Sequence, residues 1–186
     1  MGWRHRFGLR SQLAAGSALL LVVIVVGGNA YLAGQYSPAG AVTHYFKALQ
    51  AGDASSAWAS IQVADPTGTV DAKLIDSQAL RAALAVRKPS FPGLSTGKTT
   101  VNGTAAQVEV SYQFHGATLQ RRAQLVQTAE KRLGFYPTWR VVVAPTILNL
   151  AIPAGVAVTI DGKPVAIAPN KRQAVAVFPL AHRVQL

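Results

Sequence analysis

Residues Gly93-Leu94-Ser95-Thr96-Gly97-Lys98-Thr99 satisfy three catalytic patterns at once. Gly93 to Gly97 fits the G-x-S-x-G of a nucleophile elbow, in which the Ser95 hydroxyl would attack an acyl carbon. Gly97-Lys98-Thr99 ends like a phosphate-binding loop, whose backbone N–H groups and lysine hold phosphate oxygens. Ser95 and Lys98 have the S-x-x-K spacing of an activated serine. Each pattern needs surroundings that are missing. An elbow requires a strand entering Gly93 and a helix leaving Gly97, yet Ser90-Phe91-Pro92 precedes and Lys98-Thr99-Thr100 follows. A phosphate loop has four residues between its glycines, and Gly93 and Gly97 enclose three. Pro92 stands where the first glycine belongs and has no N–H to donate. No K-T-G element follows Lys98. The stretch is therefore expected to be a turn that links a helical layer to a sheet, its Ser and Thr serving turn hydrogen bonds.

The remaining chemistry-bearing residues are scattered. His115 and His182 are nominal bases, and Glu109, Glu130 and Asp161 nominal orienting acids, with no spacing that joins them. Glu109 falls on the polar phase of an alternating segment, opposite Val108 and Val110. His44 has no second histidine at metal-ligand spacing, and the absence of cysteine excludes thiolate zinc, disulfides and a thiol nucleophile. Asn102-Gly103-Thr104 fits a glycosylation pattern but reads first as a turn between strands. Tyr45, Trp58, Tyr112, Phe114 and Trp139 are candidate lining for a ligand cavity. The sequence assigns no catalytic residue, cofactor-binding residue or metal ligand.

The elements that would position these groups are legible. Ser37-Pro38 opens a helix as N-cap and N1, with Ala41, Tyr45, Ala48 and Leu49 on one stripe. Gly52 ends it, and Asp53 caps a second helix carrying Trp58 and Ile61 on one face. The segment around residues 63–71 reads as a polar loop. Asp76-Ser77 precedes a short Ala/Leu helix closed by Arg87-Lys88-Pro89. Beyond residue 100 the period changes from 3.6 to 2, predicting strands over 106–114, 118–128 and 139–143. Turns fall at His115-Gly116 and Lys131 to Gly134. From residue 146 to 186 short strands surround Asp161-Gly162, a hairpin turn, in a tail that is small for a core of its own. The expected fold class is α+β: a helical hairpin and short helix packed on a curved antiparallel sheet over 37–145, then a small C-terminal β strap or incomplete module over 146–186.

Before these lies an uncharged run of 21 residues from Leu13 to Ala33, long enough as a helix to cross a bilayer core of about 30 Å. Arg4, Arg6 and Arg10 precede it, and no Lys or Arg follows until Lys47. The positive-inside rule places a basic cytoplasmic tail at 1–11, a transmembrane helix at 12–34 and the rest outside the cell. A cleaved signal peptide is the competing reading, with the same consequence for the remainder. Three of the 18 Lys and Arg residues lie in that tail, so the exported part carries fifteen against seven acids. That surplus is spread singly or in pairs without a nucleic-acid motif, which disfavours nucleic acid and suits anionic lipid or wall polymer.

Ala41, Tyr45, Ala48-Leu49, Gly52-Asp53 and Trp58 resemble the opening helices of nuclear-transport-factor-2-like cone domains. Trp139-Arg140-Val141 with Ala144-Pro145-Thr146-Ile147 is similar to the last strand and exit of the version found at the N-terminus of methicillin-resistance-type penicillin-binding proteins. Pro153-Ala154-Gly155-Val156, Ile160-Asp161-Gly162-Lys163 and Val177-Phe178-Pro179 resemble repeats of teicoplanin-resistance-associated membrane proteins, although Leu180-Ala181-His182 replaces their usual Gly-x-Tyr turn. The resemblance implies a membrane-anchored, non-catalytic accessory protein of the bacterial cell envelope, tied to wall assembly or the response to wall antibiotics. It would bind an envelope protein or wall polymer through the cone mouth or an exposed sheet. The alternatives are a small-ligand binder or enzyme using the cone cavity, and a scaffold subunit of a secretion or transport complex.

Overall fold

The computed structural model describes residues 32–65, 70–153, 156–166 and 171–186. Helix α1 (Pro38–Ala51) starts as its sequence dictates: Ser37 Oγ accepts the Gly40 N–H at 3.0 Å, and Pro38 occupies the first turn. Residues 32–35 are helical too, and the chain bends before α1 because Ser37 Oγ donates back to the Gly34 carbonyl at 2.6 Å. Gly40 permits that bend. A Cβ there would lie 2.4 Å from the Gln35 carbonyl oxygen and 2.5 Å from that of Gly34.

Gly52 ends α1 at φ 76°, and Asp53 caps α2 (Ala54–Ala59), accepting the Ser56 N–H at 3.0 Å. Lys88 Nζ donates to the free Ala51 carbonyl at 3.1 Å, placing a cation at the negative end of α1. Helix α2 is shorter than its sequence suggests. Ser60 Oγ donates to the Ser56 carbonyl at 2.7 Å, and Ile61 opens a strand instead of sharing a helical face with Trp58. That strand, β1 (Ile61–Val63), runs parallel to β5 (Tyr136–Val143), pairing Ile61 with Val141. Helix α3 (Ser77–Val86) follows, capped by Asp76.

Strands β2 (Ser95–Asn102), β3 (Ala105–Phe114) and β4 (Ala117–Arg132) complete a five-stranded sheet in the order β1-β5-β4-β3-β2. The expected antiparallel sheet is thus corrected to a mixed one, because three β-competent residues after α2 take the free edge of β5. Further sheets follow it. A second correction concerns the membrane: no helix among the described residues is long and apolar enough to cross one. The transmembrane helix expected over 12–34 falls almost wholly outside the described residues, as does the tail at 1–11. A third concerns residues 95–100, expected as a turn. The turn is confined to Pro92-Gly93, with Gly93 at φ 66°, and Ser95 onward pairs with β3 through a register shift between Thr96 and Thr99. Thr99, Thr100 and Val101 accept extended backbone readily, and β3 supplies their ladder.

The hairpin turns sit where the glycines put them. Gly103-Thr104, His115-Gly116 and Asp161-Gly162 each close a two-residue loop, the last two with both residues at positive φ. The β4–β5 hairpin outruns its expected length, because β4 continues to Arg132 through a register shift after Gln127.

Val42, Tyr45 and Leu49 of α1 share the core with Val108, Val110, Leu125, Trp139 and Val141 of the sheet. The C-terminal strands join the same core. β6 (Thr146–Ala151) pairs with β9 (Arg172–Val177), and β7 (Val158–Ile160), β8 (Lys163–Val165) and β10 (Val184–Gln185) form a separate sheet. Ile160, Val175, Val177 and Phe178 are buried in that core, and the Phe178 ring meets Trp58 edge-on at 6.1 Å. Asp71 ties the loop after β1 to β9, donating to the Ala174 carbonyl at 3.0 Å and accepting from Ala176 at 2.9 Å.

Candidate functional site

The five aromatic candidates separate into different places. Tyr45 is buried under α1, and burial pushes its hydroxyl up to about 12. Tyr112 belongs to a packed ring group in which Phe46 meets Phe91 at 4.7 Å and Phe91 meets Tyr112 at 5.2 Å, both edge-on. Tyr45 joins it through Phe46 at 5.5 Å. Trp58 packs on Phe178, and Trp139 is buried in the sheet core. Phe114 is exposed at the β3–β4 turn, edge-on to His115 at 4.3 Å. Edge-to-face packing of this kind fills space between the rings.

His182 and Asp161 do come together. His182 Nδ1 lies 2.5 Å from Asp161 Oδ2, and its Nε2 lies 2.7 Å from the Phe178 carbonyl oxygen. The other Asp161 oxygen accepts the Arg183 N–H at 2.7 Å. Both ring nitrogens are therefore engaged. A general base needs one free toward substrate. The adjoining cavity, lined by Leu74, Ala79, Ile160 and Val177, measures about 10 Å³, room for one water. The pair fastens the C-terminal strand to the β7–β8 turn. His44, His115 and Glu130 are exposed, on α1, at the β3–β4 turn and on β4 respectively.

A second, wider concavity lies on the sheet. Alternation along β3 sends Ala106, Val108 and Val110 into the core and leaves Glu109 on the solvent side, with half-buried Ser111 in the same phase. Pairing sets Ser111 opposite Ser95 of β2 and Gln120 of β4, and Glu109 opposite Arg122. These residues line a groove of about 480 Å³. Ser95 Oγ and Ser111 Oγ are 2.8 Å apart. Gly97 floors the groove beside Glu109, where a Cβ would sit 3.4 Å from the Glu109 Cβ. Glu109 and Arg122 face each other across two strands, yet no ion pair joins them.

Ser95 thus lies in a concavity, as a nucleophile would, but its partner is another hydroxyl. No histidine lines the groove, and its carboxylate, Glu109, makes no hydrogen bond to Ser95. With Arg121 also on its wall, the arrangement offers a carboxylate, two guanidinium groups, two hydroxyls and a primary amide to one ligand. Reading the sequence for catalytic motifs finds Ser95 and misses Ser111, Gln120 and Arg122. The signal was the shared polar phase of β3 and β4, which marks an outward face without showing that it is concave.

Among the described residues no cluster of histidine and acidic side chains could hold a metal ion. No protein-family model, curated protein or solved structure matches the chain.

Proposed function

We propose that this chain is a membrane-held, extracytoplasmic accessory protein of the bacterial cell envelope, and that its α+β domain binds a partner in wall assembly without transforming it. The observation that carries the proposal is the sheet groove: polar, open, charged with both signs, and with its serine hydrogen-bonded to a second hydroxyl. A bidentate guanidinium such as Arg122 suits a carboxylate, Glu109 suits an ammonium group, and Ser95, Ser111 and Gln120 suit hydroxyls and amides. Wall polymer combines these groups in its sugars and peptide stems.

The placement outside the cell rests on sequence: an uncharged run from Leu13 to Ala33 behind three arginines. The cone-domain kinship rests on the Gly52-Asp53 helical hairpin and the Trp139 strand with its exit.

The test is a photo-crosslinker in the groove of the full chain in living cells, as Gln120→p-benzoylphenylalanine. Wall fragments should be captured from the groove position and not from the same probe replacing exposed Thr104 at the β2–β3 turn. Equal capture from both positions, or turnover of a broad substrate panel by purified protein, would contradict the proposal.

A further inference from the structure

The β4–β5 hairpin ends in Arg132-Leu133-Gly134-Phe135-Tyr136, where Arg132 pairs with Tyr136 and three residues form the loop. Leu133 is 61% and Phe135 65% exposed, side by side at one tip. The left-handed backbone of Leu133 and Gly134, at φ 52° and 80°, holds this loop and its two apolar side chains at the tip. Lys131 and Arg132 stand exposed immediately behind them, against the single acid Glu130. Two large apolar groups collared by cations match the interfacial layer of a bilayer with anionic headgroups.

A second, independent relationship fixes where this tip is. The Tyr36 ring packs on Tyr136 at 5.1 Å, and Phe135 lies against Tyr136 at 4.5 Å. Tyr36 is three residues beyond Ala33, the last residue of the apolar run. Three residues span at most about 11 Å. Wherever the end of that run is held, the tip is held beside it. Tyr36, Tyr136 and Phe135 form one aromatic group, with exposed Leu133 in the same loop, of the kind that settles at a membrane–water boundary.

We infer that the β4–β5 tip docks on the outer surface of the anionic lipid bilayer, Leu133 and Phe135 entering the interface and Lys131 and Arg132 meeting headgroups. This rests on the membrane placement proposed above and adds an orientation to it. Strand β4 leads away from the tip. Arg122 lies eleven residues from Leu133, roughly 35 Å at strand rise, so the groove is held well back from the tip along β4.

The chain has no cysteine, so single labels report cleanly. Full-length Phe135→Cys and, at the far end of β4, Ala117→Cys are labelled with an environment-sensitive fluorophore. Each is reconstituted into vesicles of phosphatidylcholine alone or with 30% phosphatidylglycerol, added on the order of the anionic content that gives a polybasic site its attraction. Both variants should float with the vesicles. The label at 135 should shift to the blue and be quenched by nitroxide lipids, more so in anionic vesicles, while the label at 117 should match its spectrum in buffer. Floating protein whose two labels behave alike overturns the docking and leaves the membrane placement standing. Protein that does not float overturns both. With unlabelled chain, tryptic cleavage after Lys131 and Arg132 should slow about tenfold on anionic vesicles. Leu133→Ser/Phe135→Ser should abolish that protection, and its retention would count against the inference.

Discussion

Asp76 and Lys163, 87 residues apart in sequence, meet at 3.1 Å at the start of α3. The same carboxylate caps the helix by accepting the Ala79 N–H. One acid thus starts a helix and fastens the β7–β8 hairpin to it. Burial alone would raise its pKa, but the Ala79 N–H, the Lys163 ammonium and the Gln78 N–H together hold it below the usual carboxylate range.

A depressed folded-state pKa stabilises the protein above the unfolded value and loses that effect as pH falls through the folded one. Asp76→Asn keeps a capping oxygen and loses the charge, so it should cost stability at pH 7, about 0.5 kcal/mol for a half-exposed ion pair. The difference should shrink as pH drops below about 4. Denaturant melts at pH 7 and pH 3 check this, and a constant difference would remove Asp76 from the acid response.

Tyr45 gives the alkaline counterpart. Its pKa, raised to about 12 by burial, keeps it neutral in the fold while the unfolded chain ionises from 10. Stability is full below 10 and is lost as pH rises through 12, by about 2.7 kcal/mol for two units. Tyr45→Phe should flatten the melting curve between pH 10 and 12, and an unchanged slope would mean that Tyr45 ionises as freely folded as unfolded.

Gly40 and Gly34 form a matched pair. A methyl at 40 would strike two backbone carbonyls, and one at 34 meets nothing within 4 Å. Gly40→Ala should destabilise by about 1–3 kcal/mol, the usual cost of forced overpacking, whereas Gly34→Ala should be nearly neutral. Thermal melts of the two proteins test whether the bend before α1 requires this close approach.

His182→Leu removes the two ring contacts that help fasten the C-terminal segment and leaves Asp161 buried with only the Arg183 N–H as its partner. A loss of about 2–3 kcal/mol is expected, with proteolysis appearing first near the C-terminus. Cleavage elsewhere, at unchanged C-terminal protection, would show that the clasp is not what holds that strand.

The helices were legible because their signals are local: Ser37-Pro38, Gly52-Asp53 and Asp76 each act within four residues. The hairpin turns were legible for the same reason, since Asp161-Gly162 and His115-Gly116 need left-handed backbone wherever they stand. The parallel β1–β5 pair was not. Ile61-Gln62-Val63 is too short to show a period, and its partner lies eighty residues away. Residues 95–100 were misread because Gly, Ser and Thr are turn formers in isolation, while β3 offers them a ladder. The groove was hidden for a related reason. Glu109 and Arg122 are ordinary polar-phase residues until strand pairing sets them opposite each other.

The most direct test is calorimetric titration of the full chain with soluble wall fragments bearing free carboxylate and ammonium groups. The account expects saturable binding that weakens at least tenfold, about 1.4 kcal/mol, in Glu109→Gln and in Arg122→Gln, with the fragments recovered chemically unchanged. Binding that ignores both substitutions, or fragments recovered cleaved, would contradict it.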